Sequence, residues 1–450
     1  MKIMNKNELF RVLDDWNFWN KTQNIGILRP KYLERMRQLS DSRQILVITG
    51  ARRSGKSFLM RQYAHDLASR GMPKNDILFV NFEDPRFTAL DARLLDEIFS
   101  IYREFQHPSG KPYIFLDEVQ EIAGWEKWVR MMHETDRARI IISGSNARLL
   151  SRELSTLLTG RHQDMTVYPL SFREYLSFAA NEPHGTQALD TPELLGSFRE
   201  YLLHGGFPGV VFEAAKDQSL LSFFSDIVER DLVRRYRVRK PEKMKSMLKF
   251  YMSNISTLTT WSKAAKFLEI SSDTAEKFSS YFESAYLVFF LKRFSFKVRE
   301  QEKSPRKVYS IDTGLARAVG FQAGMNMGRM AENAVFLELM RRRSGDPSLE
   351  LFYWKDEQHR ETDFILRTSG GLSALQVCWN AAQEETRERE VRSLLKCLDA
   401  VGLSEGTVIT EEEEGEETMK GKTIHFVPLW RWLLASESVS NPRVDSSATL

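Results

Sequence analysis

The sequence predicts an α/β fold built on a parallel sheet whose first strand feeds a phosphate-binding loop. Three observations carry this. The octet Gly50-Ala51-Arg52-Arg53-Ser54-Gly55-Lys56-Ser57 reads G-x-x-x-x-G-K-S. It follows the β-rich run Ile45-Leu46-Val47-Ile48-Thr49 and precedes a segment of helical spacing (Phe58, Leu59, Tyr63, Leu67) that stops at Gly71. Further short apolar runs at 77–82, 113–117, 140–143 and 165–168 alternate with helical stretches, the pattern of a sheet covered on both faces.

The loop comes first because its chemistry is the most specific. Glycines let the backbone curl so that successive N–H groups point at phosphate oxygens, and the helix N-terminus adds positive potential. Lys56 is placed to reach the β- and γ-phosphates, and the Ser57 hydroxyl to join the shell of a Mg²⁺ ion. The expected nucleotide contacts are Gly50, Ala51, Arg52, Arg53, Ser54, Gly55, Lys56, Ser57 and Phe58, and the expected ligands are ATP and Mg²⁺.

The strand Tyr113-Ile114-Phe115-Leu116 ends in Asp117-Glu118. An apolar strand that delivers two carboxylates beside a phosphate loop suits metal binding by Asp117 and activation of water by Glu118. The strand 77–82 intervenes between the two motifs, which resembles the additional-strand branch of P-loop ATPases that includes the AAA class. That class keeps a polar sensor where this chain reads Ser143-Gly144-Ser145-Asn146, and Ser145 or Asn146 could fill it. It also places an arginine finger for a neighbouring subunit where Arg161 stands, with Arg152 as a weaker competitor. A finger implies a homo-oligomer, with a ring as one arrangement. The plain alternative for Arg161 is a cation at a helix C-terminus.

Composition bounds the rest. The chain has 450 residues and a net charge of +3, so any nucleic-acid case rests on local clusters. Its two cysteines, Cys378 and Cys397, exclude a disulfide framework and a multi-cysteine zinc site. No apolar run is long enough to span a bilayer, and Met1 to Asp15 lacks a signal-peptide core, so a cytoplasmic location is expected.

The expected organisation is a helical lead-in (1–44, with Trp16, Phe18 and Trp19 as packing residues), the ATPase domain (45–180), and a helical lid or linker (181–256). A winged helix (257–312), a nuclease-like domain (313–434) and a disordered tail (435–450) follow. Pro183, Gly185 and Pro192 mark a breaker-rich connection, and Glu411 to Glu417 a solvated loop.

The winged helix is read from two helices joined at Ile270-Ser271-Ser272, with Ser272 or Asp273 as N-cap, and from two strands flanking a charged loop over 286–311. That loop makes Lys292, Arg293, Lys297, Arg299, Arg306 and Lys307, along with Lys303, candidate DNA contacts against Glu300 and Glu302. A second basic patch, Arg234 to Lys240, could face nucleic acid or an acidic neighbour.

In the C-terminal region Glu332 lies on a helix, Glu361 and Asp363 open a strand, and Gln376 and Cys378 lie on the next. This order resembles a PD-(D/E)XK nuclease core, in which carboxylates hold Mg²⁺ and a lysine positions water. Here Gln376 and Cys378 stand where that core has its E-x-K, so the reading is a fold kept with its catalysis lost.

Together these motifs resemble a family of prokaryotic P-loop ATPases that join an AAA-like domain to a C-terminal domain of unknown function with a nuclease-like fold. The resemblance also rests on Tyr168 to Tyr175, Gly205-Gly206-Phe207-Pro208, Lys307-Val308-Tyr309, Asp312-Thr313-Gly314-Leu315 and Tyr353-Trp354-Lys355. It implies ATP binding, a winged-helix segment and DNA association. The rival readings are a slow nucleotide switch acting on protein or DNA, and an active metal-dependent nuclease.

Overall fold

The computed structural model describes residues 4–146, 160–180, 191–320 and 326–435. Arg152, Pro183, Gly185 and the expected tail from 436 onward lie outside the described residues. Two compact units divide the chain, the first essentially Met1–Tyr168.

In the first unit β1 (Ile45–Thr49), β2 (Ile77–Asn81), β3 (Tyr113–Asp117), β4 (Arg139–Gly144) and β5 (His162–Thr166) form one sheet in the order β2-β3-β4-β1-β5. Every pairing is parallel. Because side chains alternate along a strand, β1 sends Ile45 and Val47 to one face and Leu46 and Ile48 to the other. The first face packs with Leu9, Val12 and Leu13 and with the helices Ala92–Gln106 and Trp125–Glu134; the second packs with Pro30–Ser40 and Lys56–Ser69. β5 begins earlier than the apolar run 165–168, since an edge strand tolerates the polar His162, Gln163 and Asp164.

The residues before β1 are part of this core. The Asn17 amide donates to Phe79 O at 2.9 Å and accepts from Phe79 N at 2.7 Å, and Trp19 Nε1 donates to Ile77 O at 2.8 Å. Side chains thereby satisfy the free edge of β2, which otherwise offers unpaired backbone groups.

In the second unit the helix Phe172–Ala179 comes first, and the helices Thr191–His204, Lys216–Ile227 and Pro241–Ser253 come after it. Pro192 sits in the first turn of its helix, where proline costs no hydrogen bond, and does not mark a loop. β6 (Leu258–Thr259), the helices Trp261–Leu268 and Ser272–Ser284, β7 (Val288–Leu291) and β8 (Arg306–Ser310) follow, the strands pairing antiparallel in the order β6-β8-β7. Ser271, one residue before the expected caps, accepts from Thr274 N at 3.2 Å. The segment between β7 and β8, expected as a loop, contains the short helix Val298–Lys303.

The chain ends in a mixed sheet of β9 (Glu350–Lys355), β10 (Glu361–Thr368), β11 (Gly371–Cys378), β12 (Glu405–Thr410), β13 (Gly415–Met419) and β14 (Lys422–Pro428). The strand order is β13-β14-β12-β11-β10-β9. Helix Glu384–Val401 covers one face through Val391, Leu394 and Leu398. The acidic run at 411–417 is not a free loop, because Glu413 and Glu417 pair with Arg387 at 2.9 and 2.6 Å and the run enters β13. No helix among the described residues is long and apolar enough to cross a membrane.

Candidate functional site

The phosphate loop joins β1 to the helix Lys56–Ser69. Gly50 has φ 141°, and a Cβ there would meet Val167 O at 2.2 Å, so only glycine lets β1 leave beside the chain following β5. Gly55, at φ 100°, turns the chain into the helix. Ser54 is fully buried, and its hydroxyl has no hydrogen-bond partner among the described residues. Two braces hold the loop from outside. Arg29, 2% exposed, donates to Ser54 O at 3.0 Å and Tyr168 O at 3.1 Å and stacks on Tyr32 at 4.3 Å, while Arg52 pairs with Glu83.

Lys56 is buried, with Nζ donating to Gly50 O and Ala51 O at 3.1 Å each and lying 3.5 Å from Glu118 Oε1. The Ser57 hydroxyl hydrogen-bonds Asp117 at the end of β3. Burial, then the neighbouring Glu118 charge, pushes the Asp117 carboxyl above its ordinary range; bonds from Ser143 and Ser57 and the Lys56 charge oppose this. A divalent cation beside Ser57 would supply the counter-charge that such a carboxylate lacks. Glu118 sits in the left-handed region at φ 53°, a strained conformation for a side-chain-bearing residue, and accepts from Gln120 Nε2. The donor set of Lys56, Ser57 and Asp117 therefore fits a Mg²⁺–nucleotide.

The residue of β4 that reaches this pair is Ser143, which sequence reasoning passed over. Its hydroxyl donates to Asp117 Oδ1 and accepts from Glu118 N at 3.0 Å. Ser145 and Asn146 are buried just beyond. Phe58 is 41% exposed, with the Arg61 guanidinium over its ring. Arg53 is exposed at φ 67°. Arg161 is partly exposed and pairs with Glu134.

The basic segment between β7 and β8 is thinner than its composition suggests. Lys307 is 2% exposed and belongs to a buried acidic cluster, so it is no surface contact. Lys292 and Arg306 share Glu302, Arg306 also stacks on Trp261 at 5.5 Å, and Arg293 donates to Lys355 O. Lys297 is exposed and pairs with Glu300 at 3.3 Å; Arg299 and Lys303 are exposed. In the other basic patch, Arg235 lies 3.7 Å from buried Asp231.

In the C-terminal sheet the structure does bring Glu332, Glu361, Asp363 and Gln376 together. Lys307 Nζ lies 2.8 Å from Glu332, 2.8 Å from Glu361 and 2.6 Å from Asp363. Burial opposes the Lys307 charge, yet Asp363, Glu332 and Glu361 hold its ammonium well above the usual lysine range. Burial, then the Asp363 charge, pushes Glu332 up to about 8.

Residues 42–176 match the family model of an AAA domain, and residues 195–326 and 327–432 match those of two domains of unknown function, DUF8612 and DUF4143. The AAA match, which spans the loop at 50–57, supports a nucleotide-binding, ATPase-like domain. Among solved structures, AMPPCP-bound DnaA from Aquifex aeolicus aligns at 14% identity over 59% of this chain and 93% of its own, with a TM-score of 0.28. PCH-2 of C. elegans aligns at 10% identity over 62% and 71%, with a TM-score of 0.26. An uncharacterized protein of Haemophilus influenzae is 33% identical over 372 residues, 81% of this chain and 89% of its own length. One of Methanocaldococcus jannaschii is 32% identical over 409 residues, 87% of this chain and 88% of its own. The chain, with its AAA domain at 42–176, belongs to one family with these bacterial and archaeal proteins.

Proposed function

We propose that this protein is a Mg²⁺-dependent ATPase that couples its nucleotide state to DNA engagement as a homo-oligomer. The observation that carries the reading is the meeting of Lys56, Ser57, Asp117 and Glu118 at the carboxyl ends of β1 and β3. In open α/β sheets, ligands bind outside the carboxyl ends of the strands. Mg²⁺ held by Ser57 and Asp117 supplies charge neutralisation on the phosphate oxygens. Lys56 gives up the carbonyls of Gly50 and Ala51 for the β- and γ-phosphates, which removes its ion pair with Glu118. Glu118 Oε1, so released, accepts the proton of the attacking water.

Among the described residues Arg161 pairs with the exposed Glu134, and exposed pairs of this kind contribute little to stability. It can exchange that partner for the phosphate of a neighbouring subunit at little cost. The paired helices and three-stranded sheet over 257–312 act as a winged helix, and the exposed Lys297, Arg299 and Lys303 are its remaining phosphate contacts.

ATPase rates with and without single- and double-stranded DNA, together with mass in ATP, test this. Lys56→Ala is expected to lose nucleotide binding, and Arg161→Ala to bind ATP yet barely hydrolyse it. Turnover that survives Lys56→Ala sinks the ATPase reading. Normal turnover by Arg161→Ala removes the shared site, and slow, DNA-indifferent turnover by a monomer leaves a nucleotide switch.

A further inference from the structure

A nuclease-like fold implies a divalent cation among Glu332, Glu361 and Asp363, and the residues present do not fit one. Where these carboxylates converge, a cation is already in place, the Lys307 ammonium at 2.6–2.8 Å from all three. It comes from β8, outside the six-stranded sheet that supplies Glu361 and Asp363.

Further contacts tie the acids in place. Asp363 Oδ2, the oxygen turned away from Lys307, accepts from Val377 N at 2.9 Å, and Glu332 Oε1, which faces Lys307, also accepts from the Tyr309 hydroxyl at 2.7 Å. Glu361 Oε2 faces Lys355 Nζ at 3.5 Å. Gln376, where a metal-binding carboxylate is wanted, accepts from Asp363 N at 3.2 Å and donates to Glu390 Oε2 at 2.7 Å. Its amide serves as a spacer between two acids and has no charge to give a metal.

A cavity of about 420 Å³, lined by Lys307, Glu332, Glu361, Asp363, Arg360 and Arg389, reaches the cluster, so a small ion is not shut out by packing. Lys307 is what opposes it, because its ammonium occupies the point between the three acids that a metal would take. A divalent ion bound to these carboxylates would stand beside a buried ammonium in a medium that screens poorly. Among the described residues no group of acidic, histidine or cysteine side chains is arranged to hold a metal.

We propose that Lys307 takes the place of the metal: the C-terminal site is a metal-free, ion-paired fastener that ties β8 to the helix Met327–Gly345 and to β10 and excludes divalent cations. This is independent of the ATPase reading. Removing Lys307 leaves the buried acids without the cation they share, which is the condition under which a buried cluster becomes costly. The domain then has no metal-activated water with which to cut a phosphodiester.

Mn²⁺ titration of the nucleotide-free full chain, followed by electron paramagnetic resonance, tests this on wild type, Asp363→Asn and Lys307→Met. Wild type and Asp363→Asn are expected to bind Mn²⁺ alike, because the cluster takes none. Lys307→Met, which frees the acids, is expected to bind Mn²⁺ at least about tenfold more tightly and to melt higher when Mn²⁺ is added. Mn²⁺ bound by wild type and lost in Asp363→Asn overturns the proposal, as does a folded Lys307→Met that gains no site. If Lys307→Met fails to fold, wild type against Asp363→Asn still decides whether metal is excluded.

Discussion

The Ser143 hydroxyl joins Asp117 and Glu118, donating to the carboxylate of the first and accepting from the backbone N–H of the second. One small side chain thus sets the position of both acids in the nucleotide site. Ser143→Ala leaves the Glu118 N–H without its partner, and an unsatisfied buried donor costs about 1–3 kcal/mol. The variant is expected to bind nucleotide with near wild-type affinity but to turn over at least about tenfold more slowly, since a misplaced base acts on kcat. Ser143→Thr, which keeps the hydroxyl, is expected to recover most of the rate. Nucleotide affinity and steady-state ATPase rates measure the split; equal loss of both would make Ser143 merely structural.

Glu118→Gln keeps the shape of the base and removes its ability to take a proton. Loss of a general base costs roughly 10²–10⁴ in rate, so ATP is expected to bind and remain intact. The Lys56 ion pair at 3.5 Å weakens as well, which favours the nucleotide-bound form. Filter binding of labelled ATP, with chromatography of the bound nucleotide, reads both effects. Rapid conversion to ADP would assign the base elsewhere.

The legible parts of the chain were those whose neighbours in sequence are their neighbours in space. β1, the loop at 50–57 and the following helix are one continuous segment, so pattern and glycine placement were enough to find them. Ser143 carried no such signal, because a serine at a strand end looks the same whether or not an acid from β3 faces it. In sequence Lys307 looks like the surface cations around it. Its direction follows from strand periodicity: Lys307 and Tyr309, two apart on β8, both reach Glu332, while Arg306 stacks on Trp261. That face becomes visible only once the helix bearing Glu332 is placed against it. Arg29 is a similar case, a lone arginine whose carbonyl partners Ser54 and Tyr168 are far along the chain.

Two motifs that the sequence shows far apart, Gly205-Gly206 and Asp312-Thr313-Gly314, lock into each other. Asp312 caps its own helix by accepting from Leu315 N at 2.8 Å and reaches Gly206 N at 2.6 Å. A Cβ on Gly205, which has φ 76°, would fall 2.0 Å from Asp312 Oδ1, and one on Gly314 would fall 2.1 Å from His204 O. Gly205→Ala is therefore expected to destabilise the fold by about 2–4 kcal/mol through backbone strain and loss of the cap. Asp312→Ala is expected to lose about 1–3 kcal/mol by orphaning buried N–H groups. Urea denaturation followed by circular dichroism checks both, and a wild-type midpoint for Gly205→Ala would refute the close approach.

Glu332 makes the stability of this protein depend on pH in a stated direction. Burial first, and the Asp363 charge second, raise its carboxyl from an ordinary 4.5 to about 8. The folded chain therefore keeps a proton that the unfolded chain has already released, so protonation favours the folded state. The stabilisation from that proton is fully present below the ordinary value of 4.5 and is lost as pH rises through about 8. Within that window stability falls by at most ~1.4 kcal/mol per pH unit. Glu332→Gln carries no titrating proton, so its urea midpoint is expected to decline less than that of wild type between about pH 6 and pH 8.5. The glutamine keeps an oxygen for the Tyr309 hydroxyl and Lys307 Nζ, which separates the titration from the loss of contacts. Parallel declines for the two proteins would mean that Glu332 is already ionised at neutral pH.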